Sequence, residues 1–188
     1  MRKINEIFYS LQGEGFYTGV PAVFVRFSGC NLRCSFCDTD FSSYTEMSEE
    51  QIVEEVLKYP TTHVVLTGGE PTLQITEKLL NLLAANKRKV QIETNGTLPL
   101  PEGPIAWVTC SPKHAALRIQ RIDELKVVYQ GQDMAQYNAL KAKVYSLQPC
   151  DTGDPVKNKE ILQKTIRYIL EHPKWKLSLQ THKMVGIQ

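Results

Sequence analysis

Short apolar runs alternate with amphipathic stretches along most of this chain. Residues 4–11 and 22–27 are two such runs, and each predicts a β-strand, with a glycine-rich turn between them. A helix is predicted next, because Ser48 is followed three residues later by Gln51, which is the pattern of a capping box. Apolar residues at helical spacing follow, and Pro60 ends the helix.

The remaining apolar runs continue this alternation. Leucines at helical spacing after Pro71 predict a second long helix. Further strands are predicted at residues 63–66, 89–93, 105–109, 125–129, 144–148 and 176–181, and further helices at residues 134–143 and 157–170. Strands that take turns with helices indicate an α/β fold with a parallel sheet. A complete eight-fold barrel needs about 250 residues, so the chain predicts an incomplete parallel β/α barrel with about six core strands and three or four long helices.

Length and composition are those of one globular domain spanning residues 1–188. Apolar residues make up 42% of the chain and charged residues 22%, which argues against disordered and fibrous classes. Lys and Arg total 22 against 20 Asp and Glu, and a net charge of +2 argues against nucleic acid as a partner. No apolar run approaches the roughly twenty residues of a membrane span. The first residues lack the apolar core of a signal peptide, so we expect a cytoplasmic protein with no membrane partner.

Three of the five cysteines, Cys30, Cys34 and Cys37, fall within one short loop. Their spacing lets three thiolates converge on an iron–sulfur cluster, and three ligands would leave one iron open to bind another molecule. Zinc is the alternative, although zinc sites commonly draw on two separated cysteine pairs, and this chain has no second pair. The odd cysteine count argues against a disulfide framework, and Cys110 and Cys150 are expected to be buried apolar residues.

Residues with unusual chemistry follow the predicted strands. The carboxyl ends of parallel strands lie at one edge of a sheet, where ligands collect. The groups at those ends are Gln12-Gly13-Glu14, the cysteine loop, Thr67-Gly68-Gly69, Glu93-Thr94-Asn95, Ser111-Pro112-Lys113 and Gln148-Pro149. One crevice could therefore gather them all. Paired glycines in such a turn allow the backbone to approach a ligand closely, but they also occur for structural reasons.

The sequence does not decide which groups pair with two charged residues of these strands. Arg26 lies inside an apolar strand, where an unpaired cation would be costly to bury, so it needs an anion. That anion is either an internal carboxylate, such as Glu14, or an acidic substrate held by bidentate contacts. Glu93 closes an apolar strand and should point into the crevice, where it contacts a ligand or makes a structural hydrogen bond.

Residue type leaves the roles of three further residues undecided. Asp38 and Thr39 follow the last cysteine of the loop and offer oxygen ligands for Mg²⁺, but a turn that closes the loop explains them equally well. His182 lies beyond the last predicted strand, and it is expected at the surface unless the C-terminal segment folds over the crevice.

The motifs together resemble those of radical S-adenosylmethionine enzymes. The superfamily is indicated by Cys-x3-Cys-x2-Cys at residues 30–37 and Thr-Gly-Gly-Glu-Pro at residues 67–71. A narrower resemblance, to the 7-carboxy-7-deazaguanine synthase family of 7-deazapurine (queuosine) biosynthesis, rests on Leu-Gln-Gly-Glu-Gly at residues 11–15, Cys-Asp-Thr at 37–39, Ser-Pro-Lys at 111–113 and Leu-Gln-Thr-His-Lys at 179–183. The resemblance implies a lyase that converts 6-carboxy-5,6,7,8-tetrahydropterin to 7-carboxy-7-deazaguanine with loss of ammonia.

The same resemblance implies roles for individual residues. A 4Fe-4S cluster would be held by Cys30, Cys34 and Cys37. S-adenosylmethionine would contact Phe36, Cys37, Asp38, Gly69, Ser111, Pro112, Lys113 and Gln148. The substrate would contact Leu11, Gln12, Gly13, Arg26, Thr67, Glu93, His182 and the terminal carboxylate of Gln188. Thr39 would bind a Mg²⁺ ion that bridges to the substrate carboxylate, and the chemistry would be carried by the cofactor-derived radical rather than by a side chain.

The resemblance also implies partners, and two other classes of protein remain as alternatives. The expected partners are an electron donor such as a flavodoxin or ferredoxin, and a second copy of the chain in a homodimer. The first alternative is an activase that installs a glycyl radical on a partner protein. The second is a zinc or electron-transfer module without enzymatic activity.

Overall fold

The computed structural model describes residues 1–37, 43–113 and 116–188. The strands in these ranges are β1 (Arg2–Leu11), β2 (Pro21–Phe27), β3 (Thr45–Met47), β4 (His63–Gly68), β5 (Lys89–Thr94), β6 (Trp107–Cys110), β7 (Glu124–Tyr129), β8 (Val144–Pro149) and β9 (Trp175–Leu177). The α-helices are α1 (Glu49–Leu57), α2 (Glu77–Ala85), α3 (Pro155–Glu171) and α4 (Thr181–Val185). Short 3-10 helices occur at Pro71–Leu73 and Ala135–Tyr137.

All nine strands belong to one sheet, in the order β3-β1-β2-β4-β5-β6-β7-β8-β9. From β2 to β9 along this order every neighbouring pair is parallel, whereas β1 runs antiparallel to β2, and β3 antiparallel to β1. The sheet therefore has two open edges, at β3 and β9, and does not close. A partial parallel barrel was predicted, and this topology confirms it with seven parallel strands.

Two apolar clusters hold the helices against the sheet. The cluster beneath α1 and α2 includes Ile52, Val56, Leu79 and Leu83, each of which is fully buried. α1 begins as predicted, because the Ser48 hydroxyl accepts from the Gln51 N–H and the Gln51 side chain accepts from the Ser48 N–H. The second cluster lies on β7, β8 and β9.

The prediction of a helix at residues 134–143 is wrong. Met134, Tyr137 and Leu140 lie three positions apart, and the chain folds there in tight turns instead of an α-helix. The Tyr137 N–H donates to the Met134 carbonyl, and the Leu140 N–H to the Tyr137 carbonyl. These bonds span three residues, which is 3-10 spacing, and they bury the same side chains without a full α-helix.

The end of the chain also differs from the prediction. The last strand is Trp175–Leu177 rather than residues 176–181, and α4 follows it. β3 and α4 are both too short for their residue pattern to predict them. None of the helices in the described ranges is both long and apolar enough to cross a membrane.

Candidate active site

A cavity of about 780 Å³ opens at the carboxyl ends of the parallel strands. Most of the predicted site residues line it: Leu11, Gln12, Gly13, Arg26, Cys30, Cys34, Phe36, Cys37, Thr67, Gly69, Glu93, Ser111, Lys113, Gln148, His182 and Gln188. Pro112 is buried and does not line this cavity. Asp38 and Thr39 lie outside the described residues. The structure thus brings the motif residues to one place, while their contacts with ligands stay a prediction.

The three loop cysteines carry free thiols on the wall of this cavity. The Leu32 N–H donates to the Cys30 sulfur at 3.4 Å, and the Cys37 N–H donates to the Cys34 carbonyl at 3.2 Å. Burial raises the pKa of the Cys30 thiol, against the opposing hydrogen bond from Leu32. A metal must therefore displace a proton from Cys30 when it binds.

This set of donors fits an iron–sulfur cluster. Three thiols in one short loop would supply three of the ligands of a 4Fe-4S cluster and would leave one iron open. Within residues 1–37, 43–113 and 116–188, no three His, Cys, Asp or Glu side chains lie close enough together to hold a single metal ion. The described residues therefore contain no ready-made tetrahedral zinc site. Cys110 and Cys150 are buried, as expected.

The paired-glycine turn after β4 supports the start of the cysteine loop. The Gly69 N–H donates to the Phe27 carbonyl, and the Glu70 N–H donates to the Gly29 carbonyl, both at 2.9 Å. A Cβ atom on Gly69 would overlap the Gly29 carbonyl oxygen. Gly69 is therefore required for the close approach of two backbone segments, which is a structural reason for the glycine in addition to any ligand contact.

The turn after β5 supports the other side of the cysteine loop. The Asn95 side-chain amide donates to Asn31 Oδ1 at 3.0 Å, and the Asn31 amide donates to the Thr97 hydroxyl at 2.8 Å. Glu70 is fully buried, and it accepts from the Thr94 hydroxyl and from the Asn95 N–H, both at 2.7 Å. Thr94 and Asn95 lie at the carboxyl end of β5 and were expected at the crevice, but their hydrogen-bond partners could not be predicted, because those partners lie far away in sequence.

Arg26 is paired with a carboxylate on the neighbouring strand. Its Nε donates to Glu6 Oε1 at 2.7 Å, and its guanidinium lies 5.5 Å from the centre of the Phe8 ring. The internal carboxylate is therefore Glu6 and not Glu14. The other Glu6 oxygen accepts from the Gln188 side-chain amide at 2.5 Å. Within the described residues the two terminal nitrogens of Arg26 make no hydrogen bond, so they can donate to an acidic ligand at the cavity.

A buried lysine that was not predicted lies at the centre of the cavity wall. Lys126 Nζ is 2.7 Å from Glu14 Oε2 and 2.9 Å from Glu93 Oε2. The remaining oxygen of Glu93 accepts from the side-chain amides of Gln91 at 2.7 Å and Gln12 at 3.3 Å. Lys126 lies in the middle of the apolar strand β7, and a buried cation there needs an anion, as was argued for Arg26. The sequence could therefore have indicated Lys126 as a site residue.

The two carboxylates beside Lys126 differ in proton affinity. Burial alone would raise the pKa of Glu14, but attraction to Lys126 and hydrogen bonds from Lys126 and Gln180 lower it to about 2. Burial raises the pKa of Glu93, and repulsion from Glu124 and Glu14 counteracts the attraction of Lys126. Lys126 keeps its proton, because the two carboxylates outweigh the effect of burial and raise its pKa. Glu14 is thus the permanent counter-ion, and Glu93 is the carboxylate that gains a proton more easily.

The C-terminal segment folds back over the turn that follows β1. The Thr181 N–H and hydroxyl both donate to the Gly13 carbonyl at 2.9 Å, and the Gln180 amide donates to Glu14 Oε1 at 2.9 Å. A Cβ atom on Gly13 would overlap the imidazole of His182. The C-terminal segment therefore folds over the crevice and places His182 there instead of at the open surface. Gly13 provides the space that the imidazole ring occupies.

The residues predicted for S-adenosylmethionine lie on the wall near the cysteines. Lys113 Nζ donates to the Ser111 hydroxyl at 2.9 Å and lies 5.2 Å from the centre of the Phe36 ring. Burial lowers the pKa of Lys113, and repulsion from Lys126 adds to this effect. Gln148 Oε1 accepts from Ser178 at 2.8 Å, which leaves its amide N–H groups for other partners.

Comparison with known proteins places the chain in a family. The model of the radical SAM superfamily matches residues 24–132. The 7-carboxy-7-deazaguanine synthase of Bacteroides thetaiotaomicron is 55% identical over the whole of both chains, and that of Nitratidesulfovibrio vulgaris is 40% identical over 98% of each. The crystal structure of QueE from Escherichia coli superimposes with a TM-score of 0.80 at 30% identity, over 96% of this chain and 94% of that one. The chain therefore belongs to the radical SAM superfamily and, within it, to the 7-carboxy-7-deazaguanine synthases.

Proposed function

We propose that this protein converts 6-carboxy-5,6,7,8-tetrahydropterin to 7-carboxy-7-deazaguanine with loss of ammonia. The observation that carries the proposal is that three free thiols, Arg26 and Glu93 all face one cavity. Cys30, Cys34 and Cys37 would hold a 4Fe-4S cluster, which would supply the electron for reductive cleavage of S-adenosylmethionine. The protein itself then has to bind the pterin, orient it and exclude water.

Two charged side chains suit the two ends of the substrate. The terminal nitrogens of Arg26 are available for a bidentate contact with the substrate carboxylate. Glu93 is held by Lys126 and two amides, so its oxygens have a fixed direction from which to accept hydrogen bonds from the pterin ring. A rigid carboxylate at one end and a guanidinium at the other would define the orientation of the substrate.

The docked C-terminal segment provides the cover of the site. His182 packs against Gly13, and the Gln188 side chain reaches Glu6 beside Arg26. Both residues line the cavity, and they would limit the access of water to a bound substrate. Leu11, Gln12 and Thr67 line the same cavity and would complete the pterin contacts.

Further parts of the proposal concern the magnesium ion, the partners and the location. We infer that Thr39 binds a Mg²⁺ ion that bridges to the substrate carboxylate, as the family resemblance implies. A flavodoxin or ferredoxin would donate the electron, and the protein would act as a homodimer in the cytoplasm. The Thr39→Ala variant is expected to show a reduced dependence of turnover on Mg²⁺, which a titration of Mg²⁺ against rate would measure, and full retention of that dependence would remove Thr39 as a ligand.

Anaerobic reconstitution is the direct test of the proposed reaction. The protein is incubated with iron, sulfide, a reductant, S-adenosylmethionine and the carboxylated tetrahydropterin, and a deazapurine product is expected. Consumption of S-adenosylmethionine without a deazapurine would contradict the proposal. The relatives described above are synthases, so no observation favours the glycyl-radical activase.

We expect the Arg26→Ala variant to raise KM for the pterin about 10- to 100-fold, because charge-assisted hydrogen bonds contribute about 1.5–3 kcal/mol. Iron and sulfide content should be unchanged, since the partners of the Arg26 guanidinium within the described residues are Glu6 and Phe8 and not a cysteine. The Arg26→Lys variant keeps the charge but cannot make a bidentate contact, so its KM should be intermediate. Steady-state kinetics at saturating S-adenosylmethionine measure the effect, and an unchanged KM in Arg26→Ala would remove Arg26 from the substrate site.

A further inference from the structure

A second cavity, of about 470 Å³, lies at the opposite end of the barrel from the candidate active site. Its wall includes Tyr17, His63, Gln91 and Trp107. His63 and Trp107 are the first residues of β4 and β6, so this cavity lies where the parallel strands begin. His63 Nε2 is 2.8 Å from Gln91 Oε1. None of the sequence motifs includes these residues.

Hydrogen bonds connect this end of the barrel with the active-site end. Gln91 is 1% exposed, and it lies two residues before Glu93 on β5, so both side chains point to the same face of the sheet. Gln91 Nε2 donates to Glu93 Oε1 at 2.7 Å, and a weaker contact of 3.4 Å reaches the Thr109 hydroxyl. One buried amide therefore contacts His63 on one side and the Glu93 carboxylate on the other.

The chemistry of these groups fixes their orientation. Glu93 already accepts from the Lys126 ammonium, and a carboxylate presents acceptors to an amide, so the NH2 group of Gln91 must face Glu93. The Gln91 carbonyl then faces His63, and His63 must carry its hydrogen on Nε2. A Gln91 amide rotated by half a turn would place two acceptors against each other at Glu93. The Nε2–H donor of His63 therefore favours the Gln91 orientation in which the NH2 group faces Glu93.

We propose that His63 is a positioning residue for the substrate site, which acts through Gln91 to hold the Glu93 carboxylate. This inference rests on the proposed function, in which Glu93 contacts the pterin. Tyr17 packs on the imidazole at 4.7 Å between ring centres and keeps its plane fixed. His63 lines the second cavity and not the one that would receive the substrate, and the hydrogen bonds through Gln91 link it to Glu93.

Kinetics of three variants test this role. His63→Phe keeps the ring contact with Tyr17 but removes the Nε2 donor, and we expect KM for the pterin to rise about 10-fold, with kcat changed less than KM. His63→Gln restores an amide N–H near the same place and should recover most of the affinity. The matched control is Thr62→Val, which changes an exposed residue of the same cavity wall, and it should keep the wild-type KM. An unchanged KM in His63→Phe, or no recovery in His63→Gln, would overturn the proposal.

A spectroscopic measurement tests the arrangement without any turnover. Nitrogen-15 NMR of the imidazole at neutral pH should show His63 in a single tautomer with its hydrogen on Nε2, and Gln91→Met should give a mixture of tautomers. A wild-type His63 with its hydrogen on Nδ1 would overturn the proposal, because the Gln91 amide would then face the other way. If the wild type makes no deazapurine but His63 has the expected tautomer, the proposed function fails while the hydrogen-bonded arrangement of His63, Gln91 and Glu93 stands. If product forms and His63→Phe keeps its KM, only the positioning role fails.

Discussion

Lys126→Met is expected to destabilise the folded protein by about 3–5 kcal/mol, because it leaves buried carboxylates without their partner. Lys126 is 6% exposed and lies between Glu14 and Glu93, so water cannot replace the lost ammonium. Turnover should be lost as well, since Glu93 would no longer be held by its strongest donor. Denaturant unfolding measures the free-energy change, and Lys164→Met on the exposed side of α3 is the control with little expected effect.

A second substitution separates the ion pair from simple loss of packing. In Lys126→Met with Glu14→Gln, one of the unpaired charges is removed, so the double variant should be more stable than Lys126→Met alone. If the double variant is as unstable as the sum of the single changes, Lys126 and Glu14 do not interact energetically, and the account of the buried ion pair is incorrect.

The same ion pair should be visible in the pH dependence of stability. The pKa of Glu14 in the folded protein is about 2, against an ordinary value of 4.5, so the unfolded chain binds this proton more readily. The stabilisation is therefore present above pH 4.5 and is lost as the pH falls towards 2. In Lys126→Met the pKa of Glu14 should rise, and the fall in unfolding free energy between these pH values should be smaller than in the wild type.

Gly69→Ala is expected to prevent normal cluster assembly. It should also lower the free energy of unfolding by about 1–3 kcal/mol, because overpacking of a close contact is destabilising. The added methyl group would overlap the Gly29 carbonyl oxygen, which is backbone and cannot rotate away. The cysteine loop would have to move, and the two hydrogen bonds from residues 69 and 70 would be broken. Iron and sulfide analysis after reconstitution measures the loss.

A glycine in open space provides the control for Gly69→Ala. Gly131 has a φ of +99° and no atom within 4 Å of an added Cβ, so Gly131→Ala tests backbone strain without a steric overlap. It should lower stability modestly and leave the iron and sulfide content unchanged. Normal cluster content in Gly69→Ala would show that the cysteine loop does not depend on this close approach.

The positions of the site residues along the chain could be predicted, but most of their partners could not. Arg26 was known to need an anion because of its place in an apolar strand, and the structure supplies Glu6. These two residues face each other because β1 pairs antiparallel with β2, in a register that places Glu6 opposite Arg26. Register depends on how the whole pair of strands packs, so the sequence near Arg26 does not specify it.

Periodicity was informative for long elements and misleading for short ones. α3 has seventeen residues, and its pattern predicted it well, whereas the predicted helix at residues 134–143 is a series of tight turns that buries the same apolar side chains. The place of His182 could not be derived from its neighbours, because it depends on contacts of α4 with a turn near the start of the chain.

The contact between Thr181 and Gly13 joins residues that are 168 positions apart, so it can form only when nearly the whole chain has been synthesised. The cysteine loop and the turns that support it lie within residues 27–97, which leave the ribosome long before the residues of α4. The wall that carries the thiols can therefore fold while the C-terminal segment that packs on Gly13 has not yet been translated. A nascent chain halted after residue 150 would present its thiols to iron but would have no closed chamber for the substrate.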